Sequence, residues 1–174
     1  MFEASSWLRR RIAEAIAERR NTIEITAVHD VARTIPPSRG VHVRGFHPVL
    51  PGHPQVAFES KLERDFISEI TGLPDFREIR SQPLTVSYRE DGRPRRYTPD
   101  FRLTLDRVPP ALSELGLSCF TLIEMKPLSK AEAQFDQLVS KFAAIHAAAG
   151  LPIVILTDKD MSDLVLSKAV RDVA

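Results

Sequence analysis

A single cysteine, Cys119, stands in this chain of 174 residues, so no disulfide can close within it and a reducing compartment fits. His42, His47 and His53 fall in a proline- and glycine-rich passage. With one cysteine and no histidine pair at helical or finger spacing, no zinc site is expected. Nowhere do about eighteen apolar residues run uninterrupted, and the N-terminus is charged and polar. Neither membrane spanning nor secretion is therefore expected, and the expected location is cytoplasmic. A surplus of one charge is also missing, since 24 Lys and Arg against 23 Asp and Glu leave +1. Internal repeats and low-complexity segments are absent. Apolar residues at 43% and charged residues at 27% sit near the globular average, which excludes disordered and fibrous classes.

What is present suffices for one core. Residues 1–54 are expected to form a helix and an extended arm, and residues 55–174 the body. Charge is uneven along that body. Between Arg77 and Arg107 there are eight arginines against five acids, whereas from Phe120 onward six bases face seven acids. Arginines beside metal ligands can hold phosphates through fork-shaped hydrogen bonds, with Arg93, Arg95 and Arg96 the densest group. The other reading of the same residues is a solvated hairpin.

The chain begins with a predicted helix over 4–20, capped by Ser5 or Ser6, with Leu8, Ile12 and Ile16 on one stripe. A short strand is expected over 22–28, then an arm through about residue 54. Phe58 to Ile70 reads as an amphipathic helix with Phe58, Leu62, Phe66, Ile67 and Ile70 inward and Glu63 beside them. Leu84 to Tyr88, the turn Glu90-Asp91-Gly92, and Arg96 to Leu105 form a predicted β-hairpin. Val108 to Ser118 reads as an insertion, and Phe120 to Met125 as a central strand. Ser129 and Glu132 suggest a capping box for a helix carrying Phe135, Leu138, Val139, Phe142 and Ile145, ended by Gly150. Leu151 to Leu156 is a second buried strand. Asp160 or Ser162 can cap a last helix with Leu164, Val165 and Ala169 inward. Strand, helix, strand implies a parallel crossover, so the fold class is α/β with a mixed sheet flanked by helices.

Residues two apart on a strand share a face, which puts Glu124 and Lys126 together. An unpaired buried charge costs several kcal/mol, so two charges ending an apolar strand either meet solvent or converge on something charged. If the strand after Pro99 pairs with this one, Asp100 approaches Glu124, and a divalent cation would relieve their repulsion. Asp100, Glu124 and the backbone carbonyl of Met125 are then candidate ligands for Mg²⁺ or Mn²⁺, with Glu63 helping directly or through water. Lys126 would position the attacking water and stabilise charge on a phosphate. Gln82 is a further candidate for contact with the metal site or DNA, and Lys130 for contact with DNA phosphate.

This order of elements resembles the PD-(D/E)xK nuclease superfamily and implies a restriction-endonuclease-like core. The strings FESKLERDF, SQPLTVSY, RRYTPDFRL and LIEMKP, spanning about Val41 to Asp158, resemble the N-terminal nuclease domain of the TnsA family, the endonuclease subunits of heteromeric transposases. The family's pattern falls on Glu63, Asp100, Glu124 and Lys126. The resemblance implies cutting at the 5′ ends of a transposon beside a DDE-type transposase and an AAA+ regulator. Fuller family members carry a C-terminal winged-helix-like domain, whereas this sequence ends one predicted helix beyond the core. A stand-alone nuclease of the superfamily in restriction, repair or defence, or a non-catalytic binding module of the same fold, are the alternatives.

Overall fold

A computed structural model describes residues 3–30 and 44–162. The first helix, α1 (Glu3–Arg19), passes through a 3₁₀ turn into β1 (Ile23–His29). Leu8 and Ile12 are buried, as the stripe predicts, but Ser5 is no cap. It lies inside the helix, fully buried, with its hydroxyl donating to Asp160 at 2.8 Å. Residues 31–43 of the expected arm, His42 among them, lie outside the described residues. The remainder of the arm opens a small antiparallel pair, β2 (Gly45–His47) with β3 (Val56–Phe58).

Helix α2 (Lys61–Thr71) begins three residues later than the predicted Phe58 start. Ser60 supplies the reason. Its side chain accepts the N–H of Glu63 at 3.2 Å, which fixes the first turn and leaves Phe58 in β3. The inward stripe of Phe66, Ile67 and Ile70 is at most 2% exposed, and burial of each such side chain stabilises by about 1.5–3 kcal/mol.

Four strands follow: β4 (Phe76–Ser81), β5 (Thr85–Glu90), β6 (Arg93–Tyr97) and β7 (Phe101–Leu105). The predicted turn holds, with Asp91 at φ 50° and Gly92 at φ 75°, the pair of positive angles a tight hairpin requires. Two features differ from expectation. Strand β4 was hidden by its charged alternation, and the single strand expected over 96–105 is interrupted at Thr98-Pro99-Asp100. The whole is one long hairpin bent between two sheets. Its tip, β5 and β6, joins β1 in the order β1-β5-β6, and its base, β4 and β7, belongs to a sheet ordered β4-β7-β8-β9. Proline cannot donate to a ladder, and the bend falls on that residue.

The insertion contains a short helix, α3 (Pro110–Glu114), before β8 (Phe120–Met125). Pro127 then starts α4 (Leu128–Ala133) with no side-chain cap. The expected Ser129–Glu132 box is therefore not formed, and the N–H of Leu128 goes to Asp158 at 2.8 Å instead. Helix α5 (Phe135–Ala149) ends at Gly150, whose φ of 62° is left-handed. It leads to β9 (Ile153–Leu156), parallel to β8. Thr157 caps the next turn. Its N–H donates to Asp160 Oδ2 at 2.8 Å and its Oγ1 accepts from the N–H of Asp160 at 3.4 Å, so Asp160 is the reciprocal residue of a capping box rather than the cap. Leu164, Val165 and Ala169 lie outside the described residues.

The β4-β7-β8-β9 sheet separates two cores. Phe101, Leu103, Ile123, Met125 and Leu156 face α2 and α3, while Leu122 and Ile155 face α5, α1, Tyr88 and Tyr97. This is the expected mixed α/β arrangement, with helices on both faces and an added N-terminal helix. Among the described residues, no helix is long and apolar enough to cross a membrane.

Candidate active site

The bend in the long hairpin builds the site. Where β4 leaves the large sheet, Gln82 takes φ 46° and its N–H donates to the carbonyl of Asp100 at 2.7 Å. Where the return strand re-enters, Phe101 pairs with Ile123. Asp100 thus sits one residue beyond the ladder, on the face of Glu124. Its Oδ2 accepts the N–H of Met125 at 2.7 Å, taking the place of a missing strand carbonyl.

Glu124, 5% exposed, is held at both oxygens. The hydroxyl of Tyr97 donates to Oε2 at 2.8 Å, and the ammonium of Lys126 lies 3.4 Å from Oε1. Lys126 follows the last residue of β8, and its N–H bonds the carbonyl of Leu156 at 3.0 Å. The pairing of Glu124 with Lys126 on one side follows from strand alternation.

Glu63 is placed differently. Its Oε2 accepts the N–H of Glu59 at 2.8 Å and its Oε1 accepts the hydroxyl of Ser60 at 2.9 Å, so both oxygens close the N-terminal turn of α2. Burial pushes its carboxyl above the usual range, opposed by those two hydrogen bonds and assisted by the charges of Glu59 and Glu124. Glu59, at 35% side-chain exposure, lies 3.9 Å from Arg44.

Burial raises the carboxyl of Asp100 well above the ordinary carboxylate range, and the negative charges of Glu124 and Glu63 push it further. The Met125 N–H and the Lys126 ammonium pull the other way. Asp100 and Glu124 beside the one ammonium of Lys126 leave surplus negative charge, and an all-oxygen donor set suits Mg²⁺ or Mn²⁺. Asp100 and Glu124 fit such an ion as a pair. Both oxygens of Glu63 are engaged within the N-terminal turn of α2, and among the described residues no three His, Cys, Asp or Glu side chains form a ready ligand group.

The remaining sequence candidates scatter. The eight arginines divide into two sets. Arg80 and Arg102 reach Glu78 at 2.7 and 3.0 Å, Arg77 reaches Asp106 at 3.4 Å, and Arg107 reaches Asp75 at 3.3 Å. Arg80 pairs within β4, Arg102 bridges β7 to β4, and Arg77 and Arg107 pair across the ends of the two strands. Arg89, Arg93, Arg95 and Arg96 are exposed on the β5–β6 tip, with Arg95 3.9 Å from Glu90. Arg95 and Arg96 also line a cavity of about 420 Å³ between the tip and α5, beside Ser140 and Lys141. Lys130 is exposed on α4. Gln82 is 9% exposed, and its amide oxygen is buried without a hydrogen-bond partner among the described residues.

Tyr97 stands in the expected strand over 96–105 without a role read from the sequence. The available signal was chemical, because a phenol on the buried side of a strand needs a partner for its hydroxyl.

Residues 73–151 match the family model described as TnsA-like endonuclease N terminal. Over this span the chain is similar to a TnsA-like nuclease domain. The span matched to this TnsA-like model takes in Gln82, Tyr97, Asp100, Glu124 and Lys126, and it leaves Glu63, α1 and β1 outside. It is narrower than the resemblance over 41–158, because the FESKLERDF string falls before it. No curated protein and no solved structure gives a significant match.

Proposed function

We propose that this chain is a Mg²⁺- or Mn²⁺-dependent DNA endonuclease that cuts the 5′ ends of a transposon as the TnsA-like subunit of a heteromeric transposase. The observation that carries the proposal is the convergence of Asp100, Glu124 and Lys126 at the end of β8. Asp100 and Glu124 would hold the cation, with the carbonyl of Met125 as a further oxygen donor and Glu63 acting on them through its charge. A bound divalent ion supplies Lewis-acid activation of water and charge neutralisation at the phosphate.

The chain's own groups do the rest. Lys126, tethered to Glu124, keeps an ammonium beside the position of the scissile phosphate, where it orients the attacking water and meets the charge that develops. Arg93, Arg95 and Arg96 on the hairpin tip, with Gln82 and Lys130, are the groups proposed to hold DNA. Among the described residues most tip arginines have no acidic partner, which favours phosphate contact over a structural role. A DDE-type transposase and an AAA+ regulator are the proposed protein partners. The apolar stripe of α1 is spent on packing against α5, and Arg9 and Arg19 pair with Asp160 and Glu90, which leaves exposed Arg10 for any such contact.

Nicking of supercoiled DNA carrying transposon ends, with Mg²⁺ and the partner transposase, tests this reading. Wild-type protein is expected to cut, and Asp100→Ala and Lys126→Ala are expected to lose at least about two orders of magnitude, as for removal of a preorganised electrostatic group. Equal, metal-independent cutting by all three would overturn it.

A further inference from the structure

Tyr97 belongs to β6 in the smaller sheet, yet its side chain crosses to the larger one and reaches a carboxylate proposed to bind metal. The ring is 5% exposed and rests against Phe142 of α5 at 6.4 Å between centroids. Its hydroxyl donates to Glu124 Oε2 at 2.8 Å. On the ring face, the Lys141 ammonium lies 5.3 Å from the centroid. A cation over a phenol is attracted to its π electrons and draws density from the ring, which strengthens the hydroxyl as a donor. Lys141 also lines the polar cavity behind the hairpin tip.

The consequence is orientational. A glutamate has three side-chain torsions, and a carboxylate ligand that can swing loses affinity to the disorder it must give up on binding. With Oε2 held by the phenol and Oε1 facing Lys126, Glu124 has one orientation before any ligand arrives. Packing by Phe142 prevents the phenol itself from turning away. Outer partners of this kind usually govern how well a carboxylate holds a metal.

We infer that Tyr97, steadied by Lys141 and Phe142, is a positioning residue that presets the carboxylate of Glu124 for a divalent cation. The inference rests on the proposed metal site, so the test reads metal binding directly. Mn²⁺ affinity of the purified chain is measured by calorimetry and by loss of the free-ion paramagnetic signal. The proteins compared are wild type, Tyr97→Phe, Lys141→Met, Glu124→Ala and the double variant Tyr97→Phe/Glu124→Ala, with thermal melts checking that each folds.

Tyr97→Phe is expected to weaken Mn²⁺ binding by about 10- to 100-fold, Lys141→Met by less, and Glu124→Ala by more than either. In the Glu124→Ala background, loss of the hydroxyl is expected to change the residual affinity no further, because its route of action is gone. Lys141→Met keeps every hydrogen bond at Glu124 and so serves where Tyr97→Phe melts early. Wild-type affinity in Tyr97→Phe beside lost affinity in Glu124→Ala would overturn the positioning role while sparing the metal site. No Mn²⁺ binding by wild type would overturn the metal site and the positioning role with it.

Discussion

Asp100 accepts the backbone N–H of Met125 at 2.7 Å, so the carboxylate that finishes the β7–β8 ladder is also the one pressed against Glu124. Its two duties are separable by substitution. Asn keeps an oxygen for the Met125 N–H but carries no charge, whereas Ala leaves that N–H without its acceptor. In the absence of metal at neutral pH, Asp100→Asn is expected to melt higher than wild type, by about 1 kcal/mol or more for each pKa unit of relieved repulsion. Asp100→Ala is expected to melt lower by about 1–3 kcal/mol. Thermal unfolding of the three proteins checks the order.

The pH dependence follows from the same carboxyl. Asp100 and Glu63 both have folded-state pKa values above their ordinary ones, burial being the largest cause in each. The folded state therefore binds these protons more tightly than the unfolded chain, and stability falls as pH rises from about 4 through the raised values. Glu78 runs the other way. Burial raises its pKa, but the hydrogen bonds and charges of Arg80 and Arg102 outweigh that and lower it overall. Its contribution is present above the ordinary carboxylate range and is lost as pH falls through the lowered value. In urea titrations across pH, Asp100→Asn is expected to flatten the decline above about pH 4. Saturating Mg²⁺ is expected to flatten it in wild type, and an unchanged slope in both would contradict an origin of the decline in the Asp100 carboxyl.

The two sets of arginines should respond differently to removal. Arg102 spans from Glu78, at 3.0 Å, to the ring of Phe120, 5.3 Å from its centroid. Arg102→Ala is expected to cost about 1–2 kcal/mol of stability and to leave DNA affinity unchanged in the folded fraction. Arg96→Ala is expected to leave the melting temperature unchanged and to weaken DNA binding on all sequences, with the salt slope falling by about 1. Fluorescence anisotropy at several salt concentrations, beside thermal melts, separates the two.

Asp160 anchors the N-terminal helix from the other end of the chain. It accepts from Ser5 at 2.8 Å, from Arg9 at 3.0 Å and from the N–H of Thr157 at 2.8 Å. Asp160→Ala removes all of these at a fully buried position and is expected to destabilise by about 3–5 kcal/mol. Hydrogen exchange is expected to rise in α1 before it rises in β8, because α1 loses its tie to the sheet.

Much of this architecture was readable from residues. Alternation and apolar runs located β8, β9 and the hairpin turn, and the three-four spacing located α2 and α5, because these elements bury one face against the core. Pro-Asp followed by Glu-x-Lys identified the carboxylates and the lysine that meet at the end of β8. What failed to show was tertiary in origin. The Ser129–Glu132 box satisfied the local rule, but Asp158, thirty residues on, took the Leu128 N–H. Ser5 has the chemistry of a cap and instead meets Asp160 and Thr157 across the fold. Glu63 reads as a helper at the metal site, directly or through water, and its hydrogen bonds to Glu59 and Ser60 in the turn that Ser60 begins were not legible beside that reading. Strand β4 carries Arg77, Glu78 and Arg80 because its charges pair with one another and with neighbouring β7, a pattern no single strand reveals. Tyr97 showed no role because its one polar atom points at a residue 27 positions away.

The most direct measurement is anomalous diffraction from crystals of the chain soaked in Mn²⁺. The expected result is a peak bonded to carboxylate oxygens of both Asp100 and Glu124 at about 2.0–2.2 Å, with Tyr97 still donating to Glu124. A peak elsewhere, or none, would contradict a metal-dependent nuclease centred on these residues.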